Sequence, residues 1–199
     1  AVLFQNAFEA ALLAWLAGIP QRYGYATDGR VFFLTTPVAV PSRRRGVHQV
    51  EYYWNLLKPL GLSGGASLPT LVVTADESRQ LDIRLAGAGV GVSDIVIGIN
   101  PGSTYGSAKR WLPERFAEVA QRLAERIGQD ESAQVVVVIL GARGEESLGK
   151  DIAARINGRS VVLSRATTIR ELMAVVKRCR LLVTNDTGPM HIAAACGVP

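Results

Sequence analysis

From Ile95 onward the apolar positions alternate between short unbroken runs and amphipathic stretches. Ile95 to Ile99 and Val135 to Leu140 are continuous apolar runs, as expected of parallel strands buried on both faces. Ser160 to Leu163 and Leu181 to Thr184 read as two further strands. Helical spacing follows each run: Pro113 to Arg126, Glu145 to Ile156, Thr168 to Lys177 with Thr167 or Thr168 as cap, and a small-residue helix from Met190 to Ala195. The order βαβαβαβα predicts a doubly wound parallel sheet. Ligands of such sheets bind at the carboxyl ends of the strands, so the loops entering the helices are where chemistry is expected.

The first ninety residues are less regular. Val2-Leu3-Phe4 reads as a strand, and Phe8 to Ala17 as a helix apolar nearly all round, stopped by Gly18-Ile19-Pro20. Arg22 to Ala26 and Val31 to Leu34 read as strands divided by the turn pair Asp28-Gly29, and 36–46 as a loop. His48 to Leu60 has helical spacing. Its edge residues His48, Glu51, Tyr52 and Trp54 suit packing better than catalysis. Leu71-Val72-Val73 reads as a strand. Ala75 to Ala86 reads as a helix whose cap Thr74 and third residue Glu77 form a capping box. The expected organisation is a partial Rossmann-like domain with a linker over 1–90 and an incomplete second one over 91–199. Ala1 at one end and Gly197-Val198-Pro199 at the other suggest a chain cut at both ends.

With 48% apolar and 20% charged residues in 199, the chain has ordinary globular composition. A net charge of +5 suits an anionic ligand or an anionic membrane surface. The charge is too dispersed, even at Arg43-Arg44-Arg45, to argue for nucleic acid. Cys179 and Cys196 cannot make a disulfide scaffold, and as buried thiols they fit a reducing compartment. Two distant histidines and no CxxC give no reason to expect a metal site. No run approaches the roughly 18 apolar residues of a membrane-spanning helix.

Three loops carry candidate chemistry. After Ile99 comes Asn100-Pro101-Gly102-Ser103-Thr104-Tyr105-Gly106-Ser107-Ala108-Lys109-Arg110-Trp111. Its glycines allow close backbone approach, Ser103, Thr104 and Ser107 offer hydroxyls, Lys109 and Arg110 offer charge, and a helix follows. This describes a phosphate cradle, though not a Walker A loop, since no Ser or Thr follows Lys109. The second loop is Thr184-Asn185-Asp186-Thr187-Gly188-Pro189-Met190-His191. There Asp186 or Thr187 could cap the helix, while the turn could equally hold a phosphate or sugar hydroxyls. The third is Gly141-Ala142-Arg143-Gly144-Glu145-Glu146, where Glu145 or Glu146 could grip ribose or merely complement a helix N-terminus. Gly87, Gly89 and Gly91 are only a partial dinucleotide fingerprint and read as a plain loop.

The segments PGSTYGSAKRWLPERFAEVAQRL and VTNDTGPMHIAAACGVP, taken in order, resemble the bacterial lipopolysaccharide heptosyltransferases, closest to the heptosyltransferase II branch. FQNAFEAALLAWLAGIPQRYGY resembles the middle of that family's N-terminal domain, so the resemblance spans nearly the whole chain. It implies the GT-B architecture of two Rossmann-like domains. It also implies a cytoplasmic enzyme with peripheral contact at the cytoplasmic face of the inner membrane and no cofactor. Such an enzyme transfers heptose from ADP-heptose to the anionic lipopolysaccharide core precursor, with inversion and without a bound metal. Carried over by position, Ser103, Thr104, Lys109, Thr187 and Gly188 would hold the donor diphosphate. Asp186 would hold the donor sugar with His191 beside it, and Glu145 would face the nucleoside. The family's catalytic base would lie upstream of Ala1, so the catalytic residue is left unassigned. A nucleotide- or nucleotide-sugar-binding module without catalysis is the alternative.

Overall fold

The structure is a computed structural model. It describes all residues except 42–46, 63, 65–68, 104–106, 132 and 164–167, and only the backbone of Ser107. The chain divides into two compact units, Ala1–Ser67 and Leu68–Pro199.

In the first unit, β1 (Val2–Leu3), β2 (Tyr23–Tyr25) and β3 (Thr36–Val38) form a parallel sheet in the order β1-β2-β3. Helix α1 spans Phe8–Leu16 and α2 spans Gln49–Leu57. The core is tyrosine-rich: the rings of Tyr25 and Tyr52 lie 4.4 Å apart, with Tyr23 and Leu56 beside them. Tyr52 is therefore a packing residue, as expected, and His48 caps α2 by accepting the Val50 N–H at 3.3 Å.

The expected strand at Val31–Leu34 is instead a 3-10 turn over Arg30–Phe33. Asp28 and Gly29 both adopt positive φ, 48° and 67°, and turn the chain back. Arg30 is then fully buried, and its guanidinium donates to the carbonyls of Tyr25, Gln5 and Ala7. Those bonds fix the segment more firmly than strand propensity would. The third strand lies at Thr36–Val38, within the predicted loop, with Pro37 on an edge strand where a missing N–H is tolerated.

The second unit is built on β4 (Ile95–Asn100), β5 (Val135–Leu140), β6 (Ser160–Leu163) and β7 (Leu181–Thr184), all parallel, in the order β6-β5-β4-β7. The helices are α3 (Ala75–Gly87), α4 (Pro113–Glu131), α5 (Glu146–Ala154), α6 (Ile169–Arg178) and α7 (Gly188–Cys196). From β4 to α7 the alternation is the predicted one. One face of the sheet buries Ile97, Ile99, Val137 and Ile139 against Phe116 and Ala120 of α4 and Ile152 of α5. The other buries Val96, Val136 and Val138 against α3, α6 and α7. Gly98 has no room for a side chain, since a Cβ would stand 2.7 Å from Leu182 Cδ1 and 2.9 Å from Cys179 Sγ. Burial pushes the Cys179 thiol up to about 12, which leaves it an inert packing group.

Two expectations need correction. Leu71–Val73 is not a strand; the Leu71 N–H donates to the Ala195 carbonyl at 3.0 Å, outside any ladder. The boundary lies at 67/68 rather than 90/91, because α3 packs into the second unit through Leu81 and Leu85. Polar contacts fix the same helix. Thr74 and Glu77 close a capping box on α3, and Thr168 and Glu171 close one on α6. Each box glutamate also pairs with an arginine of the other helix, Glu77 with Arg170 at 2.5 Å and Glu171 with Arg84 at 3.3 Å.

The hydrogen bond from Arg170, with those from Thr74, lowers Glu77 from its ordinary 4.5 to about 2. Its folded pKa lies below its unfolded one. Its contribution is thus present above about pH 4.5 and is lost as pH falls towards 2. Asp94 and Glu171 are shifted in the same direction by backbone N–H bonds and arginines. We expect the urea midpoint to fall through that acid window and Glu77→Gln to flatten the slope there. Equal slopes in wild type and variant would remove the brace from the account.

Candidate functional site

Three loops leave the carboxyl ends of β4, β5 and β7, neighbouring strands in the sheet. They enclose a cleft of about 670 Å³ lined by Ser103, Arg110, Arg143, Glu145, Thr187 and Gly188, among others. The three candidate loops thus converge on one place. Leu172 of α6 adds an apolar side to it.

The β4 loop is held from two sides. Asn185, just past β7 and 9% exposed, donates from Nδ2 to the carbonyls of Pro101 (2.8 Å) and Gly102 (3.4 Å). Its Oδ1 accepts the Trp111 N–H at 3.1 Å. One side chain thus ties both ends of the loop. From the other side Arg110 donates to the Ser103 carbonyl at 3.1 Å and stands 3.8 Å from Glu145. Glu145 accepts the Ala142 N–H at 2.8 Å, and its carboxylate lies where a Cβ on Gly102 would sit. Glycine at 102 thus leaves room for the Glu145 carboxylate where the β4 and β5 loops meet, and a side chain there would displace it. Asn100, at the end of β4, donates to Thr184 Oγ1 (3.0 Å) and Thr187 Oγ1 (3.1 Å), which fixes the entry to α7.

Two features of the cleft lack protein partners where an anion would supply them. Ser103 is 4% exposed, and its Oγ finds no hydrogen bond among the described residues. Thr187 is the N-cap of α7, yet its side chain turns to Asn100 and to the Asn185 carbonyl and makes no cap bond. The α7 N-terminus, with Gly188 facing open space, presents its positive dipole end to the cleft.

Lys109 and Asp186, each the chain neighbour of a cleft-lining residue, form an ion pair at 2.8 Å beside the cleft. Lys109 holds the Asp186 carboxyl below its ordinary range, with a smaller contribution from His191. His191 itself is exposed on α7 and does not line the cleft. Thr104, the side chain of Ser107, Thr167 and Arg43 to Arg45 lie outside the described residues. Of the two readings of Asp186, capping is not what its side chain does. The sequence reading did not single out Asn100, Asn185 or Leu172 as parts of the site. An asparagine at the carboxyl end of each of two strand-forming runs, Asn100 closing β4 and Asn185 following β7, is the available signal for the first two. Among the described residues no group of His, Cys, Asp and Glu could hold a metal ion, and no helix is long and apolar enough to cross a membrane.

Comparison with known proteins gives a consistent picture. Lipopolysaccharide heptosyltransferase 2 of Escherichia coli K12 is 30% identical over 210 residues, covering all of this chain and 57% of that protein. Among solved structures, a glycosyl transferase family 9 protein from Veillonella parvula matches with TM-score 0.76 and 26% identity, over 98% of this chain and 54% of that one. The E. coli ADP-heptose lps heptosyltransferase II matches with TM-score 0.69 and 26% identity, over the whole chain and 60% of that structure. The chain thus spans rather more than half the length of the relatives it matches. Its two parallel-sheet units agree with the expected GT-B class. The family model for glycosyltransferase family 9 (heptosyltransferase) matches residues 1–199, and the chain belongs to that family.

Proposed function

We propose that the second unit binds the nucleotide-sugar donor of an enzyme that transfers heptose from ADP-heptose to the lipopolysaccharide inner core. The first unit would serve the acceptor side. The observation that carries this is the pairing of an orphan buried hydroxyl, Ser103 Oγ, with the uncapped N-terminus of α7 on one cleft. Both are donors without acceptors, and a diphosphate supplies acceptors. Ser103, Thr187 and Gly188 would face its oxygens, with Thr104 next in the same loop. Lys109 beside them would offset the charge that builds on ADP as it leaves. Asp186 would accept from donor sugar hydroxyls with His191 beside it, and Glu145 would accept from the ribose.

In the reaction an acceptor hydroxyl oxygen bonds to the anomeric carbon from the face opposite the leaving group. The bond from that carbon to the β-phosphate oxygen breaks, and ADP departs with the electron pair. The hydroxyl proton goes to a general base. The net charge of +5 fits an anionic acceptor and peripheral contact with an anionic inner-membrane surface, in the cytoplasm.

Calorimetric titration of the chain with ADP, UDP and GDP tests the donor reading. ADP should bind and the other two should bind more weakly. A folded chain that binds none of the three, or all three alike, would count against an ADP-sugar site.

A further inference from the structure

We infer that Asp186, through its ion pair with Lys109, makes the cleft favour a sugar-loaded nucleoside diphosphate over the bare one. This rests on the donor-site reading above. Asp186 sits immediately before Thr187, the N-cap of α7. Here α7 has no side-chain cap, and Asp186 Oδ2 instead accepts from Lys109 Nζ at 2.8 Å. The two residues come from different loops, 77 positions apart in the chain, so the contact exists only in the folded cleft. Both side chains remain substantially open, 47% and 66% exposed, so an incoming ligand can reach them.

The consequence follows from counting partners. A diphosphate that draws Lys109 away leaves the Asp186 carboxylate without its counter-ion. A donor carrying a sugar brings hydroxyls that donate to that carboxylate and replace the lost contact. A bare nucleoside diphosphate brings none. The pair therefore subtracts from the affinity for the product nucleotide while subtracting little from that for the donor, which favours product release after transfer.

The test is a double-mutant cycle read by ADP affinity. Asp186→Asn should tighten ADP binding about two- to fivefold, the range expected when an exposed ion pair no longer competes. Removing a negative charge near a diphosphate could tighten binding by relief of repulsion alone. Lys109→Ala separates the two causes, because repulsion survives in that background and competition does not. The inference predicts that Asp186→Asn tightens ADP binding clearly less in Lys109→Ala than in the wild type. It also predicts a smaller ratio of ADP to ADP-heptose dissociation constants for Asp186→Asn, and Asp186→Ala should move ADP affinity in the same direction.

Equal tightening in both backgrounds would overturn the competition, and so would unchanged or weaker ADP binding by Asp186→Asn. In those cases ADP binding by the wild type still stands as support for the donor site. A wild-type chain that is folded and fails to bind ADP removes both the donor reading and this inference.

Discussion

Replacing Lys109 by alanine should weaken ADP binding about tenfold while leaving stability nearly unchanged. A charge-assisted hydrogen bond to phosphate contributes about 1.5–3 kcal/mol. The lower end applies because Lys109 is 47% exposed and must leave Asp186 to reach the ligand. About tenfold is 1.4 kcal/mol. The stability effect should stay within about 0.5 kcal/mol, since an exposed ion pair contributes little to folding. Calorimetry and urea unfolding on the same two proteins measure both. The salt dependence adds a discriminating readout. ADP affinity should fall with rising ionic strength, and it should fall less in Lys109→Ala, which has lost a screened contact. An unchanged dissociation constant would remove Lys109 from the phosphate site.

The parts of this molecule legible in the sequence are those set by local pattern. Ile95 to Ile99 and Val135 to Leu140 are buried from their second residue on, as central strands of a parallel sheet covered on both faces are. Thr74 with Glu77 announces the start of α3 within four residues. The loop proposed to hold the phosphates stands out for a related reason, because its glycines, hydroxyls and cations stand close together in the chain. What pattern could not supply was partnership at long range. Val31 to Leu34 has the composition of a strand, but the burial of Arg30 against carbonyls up to 25 residues away decides its shape. Glu145 is one of two adjacent acids that local pattern treats alike, and its contacts with Arg110 and Gly102 of the β4 loop are what set it apart from Glu146 in the fold. The division at 67/68 is hidden for the same reason, since the groups that hold α3 in the second unit, the core around Leu81 and Leu85 and the arginine pairs with α6, lie far along the chain.

Asn185 belongs to that second class, and its removal should have the largest structural effect of any substitution at the site. Asn185→Ala takes away the group that pairs the Pro101 carbonyl and the Trp111 N–H. A buried group left unpaired costs about 1–3 kcal/mol; the Pro101 carbonyl is buried but Trp111 is 45% exposed, so the two together should cost about 2–4 kcal/mol of stability, below the full sum. Leucine does no better, because it fills the space without restoring either bond. Aspartate keeps an acceptor for the Trp111 N–H but sets a carboxylate against the Pro101 and Gly102 carbonyls, so it should be at least as damaging as alanine. The loss is not confined to stability. With both ends of the β4 loop released, Ser103 and Lys109 are no longer held towards the α7 N-terminus, and binding must bear the ordering that the asparagine supplied in advance. ADP affinity should therefore fall even at temperatures where the variant is fully folded. Lys109→Ala should then cost less in Asn185→Ala than in the wild type, because the loop that presents the lysine is already loose. Amide hydrogen exchange over residues 107–112 reports the same event directly, with faster exchange expected in Asn185→Ala and little change in Lys109→Ala. A variant that loses stability but binds ADP as tightly as the wild type would confine Asn185 to the fold and leave the loop's order to Arg110 and Glu145.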